Sequence, residues 1–225
     1  MALSLEMEVE TFEDGAPLTG STTQLPFCAE RTADLLAVHG GVRSIWQLFG
    51  KYLEFGRDQE KLASYLRACG VNPGNVNRLA AALAQRVQSG FAVTVPLSKS
   101  TKGTSELTGG KRAMYINTRL NGNLLHDFLG LNPISLQKMA AAGVTTSDQL
   151  FAQFLSLLDE PTAEFTEAMG DKFYRKLTEY GVAGSKASTP WNARVVAPSP
   201  WTDTSASSLI DCIVTKLEYG IDSGS

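Results

Sequence analysis

The sequence has little cysteine, and what it has is poorly placed for a covalent or metal-bound framework. Its 225 residues contain three cysteines, Cys28, Cys69 and Cys212, which lie far apart and form no Cys-x-x-Cys pair. An odd number at these spacings predicts neither a set of disulfides nor a zinc site. Buried thiols in a reducing compartment are the expected role of all three.

Histidine is scarcer still, with only His39 and His126 in the whole chain. Two histidines cannot supply a three-ligand metal centre. His126 and Asp127 are adjacent, but no serine or cysteine motif accompanies them, so we expect this pair on a helix surface. The sequence therefore predicts no catalytic residue, no bound metal, no cofactor and no small-molecule substrate.

The chain also lacks the segments that direct proteins into or across membranes. No stretch approaches the roughly 18 consecutive apolar residues of a membrane span. The first basic residue is Arg31, and Glu6, Glu8 and Glu10 precede it, the opposite of a secretory or mitochondrial presequence. These absences predict no membrane partner and a reducing intracellular location, in the cytoplasm, the cytoskeleton or cilium, the nucleus or a virus particle.

Net charge is low, at −3, which argues against a protein that coats nucleic acid through bulk charge. Residues 91–120 reverse this balance locally, with five basic residues, among them Lys111 and Arg112, against the single acid Glu106. Such a strip suits an anionic surface, either a phosphate backbone or an acidic protein. Simple solvation of a linker explains it equally well.

Apolar periodicity divides the chain into helical stretches and polar connections. The helical stretches end at glycine, which stops a helix, and the connections are rich in Gly, Ser, Thr or Pro. The expected order is an acidic extended arm, a first helical module, a linker, a second helical module and an extended C-terminal arm with a short terminal helix, at residues 1–24, 25–90, 91–120, 121–182 and 183–225.

The two arms carry candidate anchors to a protein partner. In the N-terminal arm Leu5 and Met7 belong to an alternation of apolar and polar residues, a period of two that predicts a strand. Such a strand is not stable alone and should pair with another. In the C-terminal arm Trp191 and Trp201 adjoin prolines in a polar stretch. Large aromatic residues in such segments anchor onto another surface.

An internal repeat becomes visible when the chain is shifted along itself by 102 residues. The shift superposes a shared Gly-Val pair and a set of apolar positions: Gly41-Val42 on Gly143-Val144, Leu48-Phe49 on Leu150-Phe151, Tyr52-Leu53 on Phe154-Leu155, and Phe55 on Leu157. An insertion of one residue then places Leu66 on Met169. We interpret the repeat as the duplication of one module.

Three motifs of the two copies together resemble a known family. The second copy has FLGLN at residues 128–132 and QFLSL at residues 153–157, followed by two acidic residues, and the first copy has CGVN at residues 69–72. In this order they resemble the barrier-to-autointegration factor, a small, all-helical, dimeric DNA-binding protein. The resemblance covers about half of the chain.

The resemblance implies a mainly α fold: two small helical bundles of helix-hairpin-helix (SAM-like) type joined by an extended linker, with short β segments in the arms. It also implies phosphate contacts from Gly130, Asn132 and Lys138, because hairpin residues that tolerate positive φ bring backbone N–H groups close to a phosphate. Lys111 and Arg112 of the linker would assist. The first copy has no glycine at residues 26–29, which predicts a hairpin kept for packing alone.

Two functions remain open at this point. The first is a non-enzymatic structural protein, whose modules and arms bind neighbouring protein subunits of a large complex, such as a ciliary or cytoskeletal lattice or a viral particle. The alternative is a sequence-independent double-stranded DNA-binding protein, as the resemblance implies. No motif supports an enzyme.

Overall fold

The computed structural model describes residues 12, 18–89, 115, 117, 120, 122–128, 131–161, 167–182, 209–210 and 212–216. Every regular element in these ranges is helical, and none of them contains a strand. The prediction of a mainly helical protein is therefore confirmed. The β segments that we predict in the arms fall outside the described residues.

The described helices fall into two groups along the chain, here called the first half (residues up to 89) and the second half (residues from 115). In the first half a 3₁₀ turn, Thr22–Gln24, precedes α1 Glu30–Gly40, α2 Ile45–Glu54, α3 Gln59–Ala68 and α4 Pro73–Ser89. In the second half the helices are α5 Leu124–Asp127, α6 Pro133–Ala141, α7 Ser147–Ser156 and α8 Glu167–Glu179. Residues 209–210 and 212–216 are also helical, as predicted for the end of the chain.

Helices α2 and α7 begin in the same way, each at a polar cap. The Ser44 hydroxyl accepts the Gln47 N–H at 3.2 Å, and the Thr146 hydroxyl accepts the Gln149 N–H at 3.3 Å. These contacts satisfy amide groups that have no partner within the helix. At α7 the Gln149 side-chain oxygen also accepts the Thr146 N–H, which completes a capping box.

The loops before α2 and α7 repeat the same backbone hydrogen bond at the shift of 102 residues. The first amide of α2, Ile45 N–H, donates to the Gly20 carbonyl at 2.8 Å, and the first amide of α7, Ser147 N–H, donates to the Gly122 carbonyl at 3.4 Å. Both glycines have positive φ, 86° and 84°. Matched backbone bonds of this kind support the interpretation of a duplication.

The ends of α3 and α8 also match, but at a larger shift than the sequence suggested. Val71 N–H donates to the Leu66 carbonyl at 3.1 Å, and Val182 N–H donates to the Leu177 carbonyl at 3.0 Å. Leu66 therefore corresponds to Leu177, 111 residues later, and not to Met169. The sequence alignment missed this because apolar residues at helical spacing match in several registers.

The buried side chains of both halves form one continuous cluster. Its centre is the pair α2 and α7, whose apolar faces bury residues such as Phe49 and Leu53 on one side and Phe151 and Leu155 on the other. All four of these side chains are fully buried. The two helices run antiparallel. Ser44, before α2, contacts Leu158, after α7, and Arg57, after α2, contacts Asp148 in the first turn of α7.

Candidate functional site

The predicted phosphate site maps to the start of α6, where Asn132 is the residue before the helix. Its φ is −131°, so it is extended and does not adopt the positive φ that we expected of a glycine substitute. Instead its side-chain oxygen accepts the Ser135 N–H at 2.9 Å and the Ser135 hydroxyl at 3.1 Å. Asn132 is thus a helix cap, which is the commoner use of asparagine at this position.

Lys138, the predicted basic partner, lies on the same helix and is exposed. Its ammonium sits against Gly181, since a Cβ built on that glycine would lie 2.7 Å from Lys138 Nζ. The Ser135 hydroxyl also contacts this point, 3.2 Å from the Gly181 carbonyl. Gly181 follows the C-terminal end of α8, where the helix dipole favours a cation. The structure therefore brings Asn132 and Lys138 to one surface, but gives both of them internal contacts.

The corresponding stretch of the first half, residues 26–29, leads into a helix start that is poorly suited to a phosphate. Phe27 has a φ of 65°, and the guanidinium of Arg78 lies 5.4 Å from its ring centroid. Ala29, before α1, supplies no side-chain cap, and Glu30 places a negative charge in the first turn. A phosphate would be repelled at this helix start, whereas the first turn of α6 has no acidic residue.

The close contact of the two halves lies at Gly50, in the middle of α2. A Cβ added there would approach both the Ala152 carbonyl oxygen and the Leu155 Cβ to 3.2 Å. Gly50 and Ala152 are equivalent under the shift of 102 residues, so small residues occupy both crossing positions. Small residues at a crossing let two helix backbones approach closely, which side chains elsewhere on the helices could not allow.

Polar contacts fix the ends of the same helix pair. At one end the Ser44 hydroxyl donates to the Leu158 carbonyl and Gln47 Nε2 donates to the Ser156 carbonyl at 3.1 Å. At the other end Arg57 makes a bidentate ion pair with Asp148, through Nε and Nη2 at 2.7 Å each. About a quarter of each side chain is exposed, so we assign this pair an orienting role more than a large stabilisation.

A buried cation stacks on an aromatic ring in each half. Arg86 of α4 is fully buried, lies 5.5 Å from the Phe12 ring centroid and donates from Nη1 to the Phe12 carbonyl at 2.8 Å. Burial lowers the pKa of Arg86 to about 10, which leaves it charged at neutral pH. In the second half Lys216 is equally buried, and its ammonium lies 5.3 Å from the Tyr115 ring centroid. Each pair joins the start of a half, as described, to the last helical residues of the same half.

The second half contains a buried polar cluster that the sequence reasoning missed. Asp127, which we expected on a helix surface, is only 3% exposed. Its carboxylate accepts hydrogen bonds from the Ser147 hydroxyl and from the Gly122 N–H, the latter at 2.9 Å. Burial raises the pKa of Tyr115 well above its usual range, and the neighbouring Cys212 and Asp127 add to this effect.

The first half has apolar residues at the positions equivalent to this cluster. Under the shift of 102 residues Leu25 matches Asp127 and Ile45 matches Ser147, and all four residues are buried. The repeat alignment could have pointed to this cluster. A polar residue that aligns with an apolar residue of the other copy lies either at the surface or in a specific buried polar contact.

The remaining predicted site residues fall outside the described part of the chain. These are Gly130 of the hairpin, Lys111 and Arg112 of the linker, and the arm residues Leu5, Met7, Trp191 and Trp201. Their assignments stay predictions.

Comparison with known proteins gives this chain no relative: no family model, no curated protein and no solved structure matches it. Among the described helices, none is both long enough and apolar enough to cross a membrane. The described residues also bring together no group of three or more His, Cys, Asp or Glu side chains suited to a metal ion.

Proposed function

We propose that this chain is a non-enzymatic assembly protein: two related helical bundles of helix-hairpin-helix type, fixed to each other, whose outer surfaces and arms bind neighbouring protein subunits of a large complex. The observation that carries the proposal is the pairing of α2 with α7. A close crossing at Gly50, with polar contacts at both ends, holds the halves in one orientation. A building block needs a fixed geometry of this kind, because it must present two surfaces at a constant angle.

The anchoring of Phe12 in the N-terminal arm supports the same function. Phe12 is 5% exposed and bound through both its ring and its carbonyl, so the N-terminal arm starts from a fixed point on α4. An arm that is anchored at its base loses less freedom when its other end binds a partner, which favours binding. The candidate anchors Leu5 and Met7 lie within ten residues of this point.

Native sedimentation with and without nuclease tests the proposal. We expect the tagged chain, extracted at low salt from its source, to sediment far above its own mass of 24.2 kDa regardless of nuclease. Replacing Trp191 and Trp201 together by Ala should shift it toward the monomer, while Val38→Ala, at a position 76% exposed on α1, should not. Sedimentation of the unmodified chain as a monomer would refute the proposal.

Sequence-independent binding to double-stranded DNA is the second candidate. One observation favours it: the start of α6 joins an acid-free first turn to the exposed Lys138. An exposed N-terminal turn is a general anion site, and a nearby lysine adds charge that a phosphate backbone would use. The net charge of −3 and the internal contacts of Asn132 and Lys138 make it the weaker candidate.

Lys138→Glu separates the two candidates. If phosphate contacts are made here, a fluorescent duplex should bind the unmodified chain at about 50 mM salt, with an affinity that falls steeply as salt rises. The variant should then bind at least about tenfold more weakly, with a smaller salt slope, because a phosphate contact is lost and a like charge is added. Lys61→Glu, an equal change of charge at an exposed position on α3, is the control. Absence of binding to the unmodified chain would exclude this candidate.

A further inference from the structure

The last helical residues that the structure describes, 209–210 and 212–216, occupy the place in the second half that α4 occupies in the first. Their buried cation Lys216 stacks on Tyr115 as Arg86 of α4 stacks on Phe12. The residues that precede these cations also match: Leu79, Ala80, Ala82 and Leu83 on Leu209, Ile210, Cys212 and Ile213, all of them buried. These residues therefore complete the second half as α4 completes the first.

The two equivalent helices differ in how the chain reaches them. In the first half only Asn72 separates Val71 from the start of α4. In the second half Val182 matches Val71, and 26 residues, 183–208, precede Leu209. Covalent geometry lets 26 residues span up to about 90 Å. A compact protein of 225 residues has a radius of gyration of roughly 17 Å. The 26-residue connection is therefore long enough to reach another copy of the molecule.

The docking site for residues 209–216 is also more polar than its equivalent. Tyr115, Asp127 and Ser147 stand where the first half has Phe12, Leu25 and Ile45. Water can hydrate a vacated polar site, so its exposure costs less free energy than exposure of an apolar one. The same groups make the site selective for this segment. Lys216 has to lie over the Tyr115 ring, and Cys212 has to lie beside the Tyr115 hydroxyl.

From these three features we propose that residues 209–216 are an exchangeable element, which docks either on its own chain or on the same site of a second copy and thereby links neighbouring copies. The proposal rests on the proposed assembly function and names one of its partners. The tether holds the segment near its own site at an effective concentration in the millimolar range. Exchange between copies is therefore expected at millimolar protein, a concentration that neighbouring copies reach within an assembly.

A peptide of residues 205–220 added to the full-length chain tests whether the site accepts the segment from another molecule. In an Ile213→Asp chain the chain's own segment cannot dock, because a carboxylate replaces a fully buried side chain. We expect the fluorescent peptide to bind this variant saturably and to bind the unmodified chain at least tenfold more weakly. A peptide carrying the same substitution should bind neither. Failure to bind a variant that keeps its helical circular dichroism would overturn the proposal.

A second measurement holds even if that variant does not fold. At about 1 mM the unmodified chain should form dimers that persist after dilution. Deletion of residues 186–203 leaves eight connecting residues, which can span only about 28 Å, yet one residue suffices in the first half. Because the deletion also removes Trp191 and Trp201, a chain with Gly and Ser residues in place of 186–203, at the original length, is the control and should dimerise as the unmodified chain does. We expect the shortened chain to fold and remain monomeric. A monomeric unmodified chain at about 1 mM, or equal dimer formation by the shortened chain, would refute exchange.

The two proposals can fail separately. A chain that is monomeric in purified form but sediments in a large complex from its source would refute exchange and leave the assembly function standing. Dimers of the purified chain together with monomeric sedimentation from the source would refute the assembly function and leave exchange standing.

Discussion

Gly50→Leu is expected to destabilise the protein by about 3 kcal/mol, because it forces a branched side chain into the crossing of α2 and α7. A Cβ alone would already lie 3.2 Å from the Ala152 carbonyl oxygen, an atom of the backbone that cannot rotate away. In a chain of this size the loss corresponds to a fall of roughly 6–12 °C in Tm. Thermal unfolding followed by circular dichroism measures it.

Two companion variants isolate the cause of that loss. Gly50→Ala should change the stability little, because alanine gains about 0.5–1 kcal/mol of helix preference and the close Cβ contact offsets it. Ala81→Leu adds the same bulk to an exposed position of α4 and should stay within about 0.5 kcal/mol of the unmodified chain. If Gly50→Leu melts together with Ala81→Leu, the two helices do not cross closely at this point.

The helical character of the chain and the central helices α2 and α7 could be predicted because local patterns determine them. Their apolar faces repeat every three or four residues, and their starts carry the polar caps Ser44 and Thr146. The register of the last helices could not be predicted. Leu66 finds an apolar match at Met169 as readily as at Leu177, and only the backbone hydrogen bonds at the helix ends select the second.

The location of Asn132 before a helix could be predicted from the sequence, but its conformation could not. Asn132 does lie at the start of a helix, yet sequence could not distinguish a cap from a residue with positive φ, since asparagine serves both. Asp127 was wrongly expected on the surface because a charged side chain is seldom buried. Its burial depends on Ser147 and Gly122, whose proximity is a property of the tertiary structure.

Leu53→Ala and Leu155→Ala are each expected to destabilise the protein by about 2–5 kcal/mol, because both side chains are fully buried at equivalent positions of α2 and α7. The truncation removes apolar contacts and leaves a cavity that a closely packed helix pair cannot fill. Urea unfolding gives the free energies, and Val38→Ala, which truncates an exposed side chain, should lie within about 0.5 kcal/mol of the unmodified chain.

For the same two substitutions we also predict the number of transitions in the unfolding curves. Both leucines belong to a core that is continuous across the two halves. We therefore expect a single transition in each case, with fluorescence and circular dichroism giving the same midpoint, because loss of either side chain weakens the pairing on which both halves depend. If Leu53→Ala lowered one transition while leaving a second at its original midpoint, the halves would be independent domains. The α2 and α7 contact would then be a weak interface, and it could not supply the fixed geometry on which the assembly proposal rests.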